Sequence, residues 1–352
     1  MSQFSSNKIL KHLDRVLEWQ QTGFSRPVTY ELDMTNTCDS RCSFCFGYRN
    51  REENPFSLRI EEVRDMLDQI RGFGGMGVTF TGGGEPLCNR DTFKAVKYAK
   101  EIGLDVGFIT NGIMLDRRKC AALAEYCTWV RVSLDAGSKK YYRLTHGLDS
   151  DTFQKVIENT AMLVEEKKRT GSSVTVGTGF LTFPEITGEM EKFVDISSGI
   201  GVDYAQFRPL LKGFNGSELN SDPGGSVSVM DELKNVLKKS RNGFRVLYSL
   251  SKYEKMEKGC TARKYRECFG HNFATVIAAD KKMYLCCHMR GVEKYCIGDL
   301  SRDSLKEIWS SRRRAETVAK LDFRDCPLLC RCDGINEVLW DITRDKEHCN
   351  FL

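Results

Sequence analysis

The chain has 352 residues, with 53 Lys+Arg and 48 Asp+Glu, so its net charge of +5 is small for its length. This balance gives no general case for binding nucleic acid or a membrane surface. A hydrophobic share of 41% can fill a sizeable core, and the length favours roughly two domains. No apolar run approaches the ~18 residues of a membrane-spanning helix, and the polar N-terminus shows no secretory signal. We therefore predict a cytoplasmic protein without nucleic-acid or membrane partners.

Helices and strands alternate along the first two thirds of the chain. After an N-terminal helix over 5–21, apolar periodicity predicts strands at 28–34, 77–81, 104–109, 129–134, 173–181 and 202–208, and intervening helices at 57–71, 91–102, 115–127, 151–169 and 185–198. Alternating βα units imply a parallel sheet with right-handed crossovers. Six units are too few for a closed eight-stranded barrel, so we predict an α/β fold based on a partial (β/α)6 TIM-like barrel, with an open doubly wound sheet as the alternative. Functional groups should gather at the carboxyl ends of the strands.

Composition divides the chain into four segments. A Gly/Ser/Asn-rich stretch at 211–228 is typical of a linker, and most of the cysteines lie beyond it. The predicted segments are an N-terminal helix at 1–26, the partial barrel at 27–212, a linker and helix at 213–240, and a smaller cysteine-rich domain at 241–352.

Cysteine is unusually frequent, with 15 in the chain. The number is odd and there is no export signal, which makes a secreted disulfide framework the weaker interpretation. Cys38, Cys42 and Cys45 follow the first strand, at the expected active edge of the sheet. Three local thiolates would leave one iron of a [4Fe–4S] cluster open to a ligand from outside the protein. The alternative is a zinc site with a distant fourth ligand, although zinc sites usually carry CxxC pairs.

This Cx3CxΦC motif, with Phe44 at the aromatic position, resembles that of the radical S-adenosylmethionine (SAM) enzymes. The resemblance implies that Cys38, Cys42 and Cys45 hold a [4Fe–4S] cluster whose open iron is chelated by SAM. One electron from the cluster then cleaves SAM to methionine and a 5′-deoxyadenosyl radical, which abstracts a hydrogen atom from the substrate. A flavodoxin- or ferredoxin-type electron donor is also implied.

Further matches fall at strand ends. The sequence TGGGEP at 81–86 resembles the family's GGE motif, which implies that Gly83, Gly84 and Glu85 receive the SAM amino group. Asn111 and Ser133 end the third and fourth strands and suit ribose and carboxylate contacts. Arg143 resembles an arginine that clamps the SAM carboxylate in related enzymes, with a solvated helix residue as the alternative.

Three charged residues are candidates for catalysis or substrate contact. Glu31 and Asp33 share one face of the first strand by period-two alternation. If that face points into the barrel, they could bind hydroxyl or amino groups or act as a base; buried carboxylates paired with Lys or Arg are the alternative. Arg208 ends the sixth strand and is a candidate for contact with the substrate or with SAM.

The C-terminal cysteines resemble those of SPASM and twitch auxiliary-cluster domains, although Lys281 stands where a turn Gly is usual. The resemblance implies one auxiliary [4Fe–4S] cluster, with a structural zinc site as the alternative. The predicted ligands are Cys268, Cys286, Cys326 and Cys330, with Cys332 and Cys287 as close alternatives. Cys260 and Cys349 could support a second cluster.

The resemblance names a chemistry rather than a substrate. Because only 37 residues precede Cys38, we expect no N-terminal peptide-recognition domain, which favours a small polar substrate. The main prediction is hydrogen abstraction from a sugar, aminocyclitol or nucleoside in natural-product biosynthesis, giving dehydrogenation, dehydration, epimerisation or decarboxylation. The alternatives are a peptide- or protein-modifying maturase and a non-catalytic zinc or iron–sulfur binding module.

Overall fold

The structure is a computed structural model that describes residues 5–45, 55–183, 188–210, 229–259 and 262–344. In these parts of the chain the strands are β1 (Thr29–Asp33), β2 (Gly77–Thr81), β3 (Asp105–Thr110), β4 (Trp129–Ser133), β5 (Thr175–Thr182), β6 (Tyr204–Pro209), β7 (Arg245–Leu247), β8 (Ala274–Ile277), β9 (Lys282–Tyr284) and β10 (Cys296–Asp299). The α-helices are α1 (Leu13–Thr22), α2 (Ile60–Gly72), α3 (Thr92–Glu101), α4 (Arg117–Tyr126), α5 (Lys139–His146), α6 (Ser150–Thr170), α7 (Met190–Ile200), α8 (Val229–Leu237), α9 (Leu250–Glu257), α10 (Leu305–Trp309), α11 (Arg312–Ala319) and α12 (Asp333–Thr343).

The described strands form one sheet in the order β10-β9-β8-β1-β2-β3-β4-β5-β6-β7. Strands β1 to β6 pair in parallel and in sequence order. This arrangement confirms the six predicted βα units, because each crossover helix returns the chain to the same end of the sheet. The carboxyl ends of β1 to β6 therefore meet at one edge.

Two short parallel strands extend the sheet beyond the six predicted ones. β7 pairs with β6, and β8 pairs with β1. Both come from the segment predicted as a separate cysteine-rich domain, so this segment continues the barrel sheet at each end. β9 and β10 then add an antiparallel hairpin beyond β8. The predicted linker at 211–228 lies outside the described residues.

Two helical regions differ from the sequence-based expectation. The single helix predicted at 5–21 divides at His12, where the backbone (φ −118°, ψ 54°) is not helical. A 3-10 helix at Ser6–Lys11 precedes this residue and α1 follows it. Helix α5 was not predicted; it ends at Gly147, whose φ of 65° suits a glycine at a helix C-terminus.

The two faces of the sheet have different roles. On the outer face Phe180 of β5 packs against Phe193 of α7 and Phe207 of β6, with ring centroids 4.9 and 5.4 Å apart. Burying each such ring stabilises the fold by about 2 kcal/mol. On the inner face β5 carries Gly177 and Gly179, so this strand fills little of the barrel interior. No helix in the described residues has the length and apolar character needed to cross a membrane.

Candidate active site and cluster sites

The cysteine motif lies in the loop that follows β1, where Cys38, Cys42 and Cys45 are all partly exposed. The end of α5 anchors this loop through backbone hydrogen bonds. The N–H groups of Arg41 and Ser43 donate to the carbonyl oxygens of His146 and Thr145, each at 3.0 Å. The unpredicted helix α5 thus positions the predicted cluster ligands.

Burial governs the chemistry of this loop. It raises the pKa of the Cys42 thiol to about 12, although the Ser40 hydroxyl lies 3.2 Å from Sγ. A metal must therefore displace the thiol proton when it binds. Burial also lowers the pKa of His146 to about 4, so this ring is neutral and packs against Tyr142 at 4.1 Å and the edge of Phe44 at 6.1 Å.

The GGGEP loop packs directly on the segment that leads into the cysteine motif. A Cβ on Gly84 would lie 2.1 Å from the Thr37 carbonyl oxygen, so this position requires glycine. The N–H of Glu85 donates to the same oxygen at 2.9 Å. Gly83 lines the cavity described below. The structure therefore brings the two predicted cofactor motifs together.

Glu85 is buried and ties together the ends of two strands. Its Oε1 accepts hydrogen bonds from the Thr110 hydroxyl at 2.7 Å and the Leu87 N–H at 3.1 Å, and its Oε2 accepts from the Asn111 N–H at 2.8 Å. Burial raises its pKa to about 7 in spite of these bonds. The Asn111 side chain donates in turn to Asp39 in the cysteine loop at 2.6 Å.

The two residues predicted to contact the SAM carboxylate differ in position. Ser133 ends β4 and lines the cavity. Arg143 is exposed on α5 and is not among the described residues that line the cavity. The structure therefore brings Ser133 to the site but leaves Arg143 on the helix surface, which corresponds to the alternative given for it above.

A cavity of about 1540 Å³ occupies the barrel interior and continues to the C-terminal segment. It is lined by side chains of the barrel strands, by residues after 247 and by N-terminal residues between 5 and 12. The polar residues among those that line it include Glu31, Asp33, Thr79, Arg131, Ser133, Gln206 and Arg208 from the barrel, and Tyr248, Lys252, Cys287, His288, Arg290 and Arg331 from the C-terminal segment.

Glu31 and Asp33 both point into this cavity and are paired with arginines. Arg290 lies 2.6 Å from Asp33 and 2.9 Å from Glu31, and Arg331 contacts the other oxygen of Glu31. Burial raises the pKa of Asp33 to about 7 although Arg290 opposes it. Burial also acts to raise the pKa of Glu31, but Arg331 and Arg290 outweigh it and hold that pKa below its usual value. The two carboxyl groups therefore differ in protonation near neutral pH.

The predicted auxiliary cysteines converge in the C-terminal segment. Cys332 lies beside Cys268 and Cys330, and its proximity lowers the pKa of Cys268 to about 7. Cys286 and Cys326 lie close enough to Cys268 and Cys330 to interact electrostatically with both. The site thus contains the four predicted ligands and Cys332.

Cys287 has different surroundings from this group, although Cys330 still acts on its pKa. It lines the barrel cavity, where the nearest charged groups are Glu31, Arg331 and Arg290. Cys260 and Cys349 lie outside the described residues. Of the two close alternatives, Cys332 therefore lies among the auxiliary cysteines, whereas Cys287 faces the barrel.

The donor sets fit iron–sulfur clusters. No three His, Cys, Asp or Glu side chains in the described residues are placed to surround a single metal ion. A [4Fe–4S] cluster takes one thiolate on each iron and accepts wider spacing than a tetrahedral zinc ion. Cys38, Cys42 and Cys45 would hold one cluster with an open iron, and the C-terminal cysteines would hold a fully ligated one.

Lys281 lies in the turn between β8 and β9. Its φ of 67° is left-handed, as expected at a position where glycine is usual. Its ammonium forms an ion pair with Glu62 of α2. This pair links the auxiliary segment to the barrel.

Comparison with known proteins agrees with this geometry. Residues 32–195 match the family model of the radical SAM superfamily, and residues 268–333 match that of an iron–sulfur cluster-binding domain, SPASM. The chain therefore belongs to the radical SAM superfamily and carries a C-terminal SPASM domain. Its domains are those of an enzyme rather than of a binding module, and they imply a SAM-binding [4Fe–4S] cluster, SAM and an auxiliary cluster as cofactors.

The fold is similar to that of SuiB from Streptococcus suis bound to its precursor peptide SuiA, with a TM-score of 0.69 and 14% identity over 89% of this chain and 71% of that chain. The chain is 31% identical to a PqqA peptide cyclase of Rhodopseudomonas palustris over 102 residues, which are 29% of this chain and 27% of that protein. It is 28% identical to a probable GTP 3′,8-cyclase of Saccharolobus solfataricus over 186 residues, 51% of this chain and 56% of that protein. The match therefore spans about a quarter to about half of these curated relatives.

Proposed function

We propose that this protein is a radical SAM enzyme that modifies a peptide or protein substrate after abstracting a hydrogen atom from it. The similarity to a PqqA peptide cyclase and to SuiB with its precursor peptide supports this class of substrate. The proposal adopts the alternative stated in the sequence analysis in place of a carbohydrate-like small molecule.

The observation that carries the proposal is the size and position of the cavity. Its volume of about 1540 Å³ exceeds the ~300–1,000 Å³ of ordinary small-molecule pockets. It runs from the barrel interior to the C-terminal segment, so a bound substrate would contact both. Such a space has room for SAM and for a segment of polypeptide beside it.

Different residues would bind the cofactors and the substrate. When bound, the cluster and SAM supply the hydrogen-abstracting radical chemistry. Cys38, Cys42 and Cys45 would hold the cluster, and the backbone of Gly83 and Gly84 allows close approach of SAM. Ser133 lines the cavity and would offer SAM a polar contact, whereas the predicted contacts Glu85 and Asn111 lie outside the cavity lining.

Asp33 is the candidate proton acceptor. Its pKa of about 7 lets the carboxyl group take or release a proton near neutral pH. Glu31 stays ionised, and with Arg290 it fixes the position of Asp33. Arg208 remains a candidate for substrate contact.

Two further parts of the proposal concern the surroundings of the enzyme. We propose a flavodoxin- or ferredoxin-type protein as the source of the electron. All cysteines in the described residues are free thiols, which fits the reducing cytoplasmic setting predicted from the sequence.

The test is 5′-deoxyadenosine formation by the anaerobically reconstituted enzyme. A panel of short peptides should stimulate it by about tenfold or more, while sugars, aminocyclitols and nucleosides should leave the basal rate unchanged. Mass spectrometry should then detect a modified peptide. Stimulation by a nucleoside or a sugar, with no stimulation by any peptide, would contradict the proposal. It would favour the carbohydrate-like substrate instead.

A further inference from the structure

Two of the arginines that line the cavity have no carboxylate partner among the described residues, whereas the other two have one. Arg290 and Arg331 are paired with Glu31 and Asp33. Arg131 of β4 is 8% exposed and its Nε is buried without a hydrogen-bond partner among the described residues. The Nε of Arg208 is also buried without a hydrogen-bond partner among the described residues.

A glycine brings these two side chains together. A Cβ on Gly179 of β5 would lie 3.4 Å from Cδ of Arg131 and 3.4 Å from Nη2 of Arg208. Both arginine side chains thus pass beside Gly179, at the distance of an ordinary van der Waals contact from where a Cβ would lie. Gln206 accepts a hydrogen bond from Nη1 of Arg131 at 2.8 Å and fixes the orientation of that guanidinium.

No ion pair among the described residues compensates the charge at this point. Burial lowers the pKa of Arg131 to about 9, and the nearby charge of Arg208 adds to this effect. Asp135 is the nearest acidic group that acts on both. Its Oδ1 accepts a hydrogen bond from the Leu181 N–H at 2.7 Å, and it forms no ion pair with either arginine among the described residues. Buried guanidinium groups that lack an anion are costly, so the pair favours an anionic ligand.

The Arg131 backbone, unlike that of Arg208, lies away from the carboxyl ends of the strands. Arg131 precedes Ser133 by two residues on the inward face of β4, which places it roughly 7 Å deeper in the barrel. The predicted SAM residues Gly83, Glu85, Asn111 and Ser133 lie at or beyond the carboxyl ends of the strands. The Arg131 side chain runs from this depth to Gly179, where it meets Arg208 at the level of Ser133.

We infer that Arg131 and Arg208, oriented by Gln206, form a subsite for a carboxylate of the substrate. This inference rests on the proposed function, under which the carboxylate belongs to an acidic side chain or to the carboxyl terminus of a peptide. The planar guanidinium fork suits a carboxylate, which accepts two parallel N–H···O bonds.

The test measures thermal stabilisation of the reconstituted, SAM-bound protein by small probes. N-acetylglutamate α-amide presents a side-chain carboxylate, N-acetylglycine presents a terminal one, and N-acetylglutamine α-amide is the neutral control. At least one charged probe should raise the melting temperature, and the neutral one should not, because only a ligand of the native state stabilises it. The charged probe that raises the melting temperature shows whether the carboxylate belongs to a side chain or to a carboxyl terminus.

Variants connect the effect to the two arginines. Arg131→Met and Arg208→Met should each reduce the shift by about fivefold or more, and Arg118→Met, an exposed position on α4, should retain it. Without a probe, Arg131→Met should not lower the melting temperature, because it removes an uncompensated charge. If Arg131 instead stabilised the fold, this variant would have a lower melting temperature.

Three results would overturn the inference: no shift with either charged probe, an equal shift with the neutral probe, or shifts that persist in both variants. A shift that appears without SAM and disappears when SAM is bound would also overturn it, because the pair would then hold the SAM carboxylate. The measurement needs no turnover. If a charged probe binds but no peptide stimulates 5′-deoxyadenosine formation, the proposed peptide substrate is wrong. The carboxylate subsite would still be supported.

Discussion

The Nε of Arg290 lies 2.6 Å from Oδ2 of Asp33, joining the C-terminal segment to the first strand of the barrel. The same guanidinium reaches Glu31 at 2.9 Å. The SPASM segment thus supplies the counter-charge for two carboxylates buried in the barrel.

Arg290→Met should destabilise the protein strongly. Removing one partner of a buried ion pair leaves uncompensated charge and costs about 3–5 kcal/mol. Denaturant unfolding should show this loss, whereas Arg302→Met, at a side chain that is 81% exposed, should change stability little. Adding Asp33→Asn should recover part of the loss, and equal stability of the Arg290 and Arg302 variants would contradict this account.

Glu85 should make stability depend on pH. The folded protein holds its pKa near 7, against an ordinary value of 4.5. Between these values the folded state binds more protons, so the free energy of unfolding falls as pH rises, by about 3 kcal/mol. Glu85→Gln does not titrate, so the stability of the wild type relative to this variant should fall by a similar amount from about pH 5 to 8.

Glu62→Gln is the matched control for this experiment. Burial raises the Glu62 pKa, but hydrogen bonds from Lys281 and Arg59 outweigh it and hold the pKa at about 2. Its contribution is therefore complete above 4.5 and is lost only as pH falls towards 2. Over the same range of pH the Glu62 difference should stay constant. A Glu85 difference that also stays constant would contradict the assignment.

The auxiliary ligands can be separated one at a time in a protein that already lacks Cys38, Cys42 and Cys45. Replacing Cys268, Cys286, Cys326 or Cys330 by Ala should lower its iron content, because a cluster without four ligands is labile. Cys287→Ala is the matched control, since this neighbour of Cys286 faces the barrel and should keep the iron. Loss of iron in the Cys287 variant, or zinc in place of iron, would contradict the predicted ligand set. Cys332→Ala tests whether Cys332 replaces one of the four.

The features that local spacing determines were predictable from the sequence. The cysteine motif, the GGGEP loop and six βα units depend on residues close in the chain. β7 and β8 have only three and four residues, and their places depend on pairing with β6 and β1, which no local pattern encodes. Helix α5 was not predicted for a similar reason. Its carbonyl groups accept hydrogen bonds from a loop about a hundred residues earlier in the chain, and no local pattern encodes that contact.

Arg131 was missed although a signal was present. In the strand Trp129–Ser133, apolar and polar residues alternate so that Arg131 and Ser133 share one face. Reading that face as the barrel interior would have placed a buried arginine beside the candidate Arg208. The Arg290 pairing could not be read in this way, because the partner comes from far along the chain.

We propose that Cys38, Cys42 and Cys45 hold the cluster at which SAM is cleaved. The direct measurement is 5′-deoxyadenosine formation, with iron content, in the reconstituted wild type and in Cys38→Ala/Cys42→Ala/Cys45→Ala. Cys127→Ala, at a buried thiol at the end of α4, serves as the control and should retain both. The triple variant should lose one cluster's worth of iron and all reductive cleavage of SAM, while keeping the auxiliary iron. Continued formation of 5′-deoxyadenosine by the triple variant would contradict the claim.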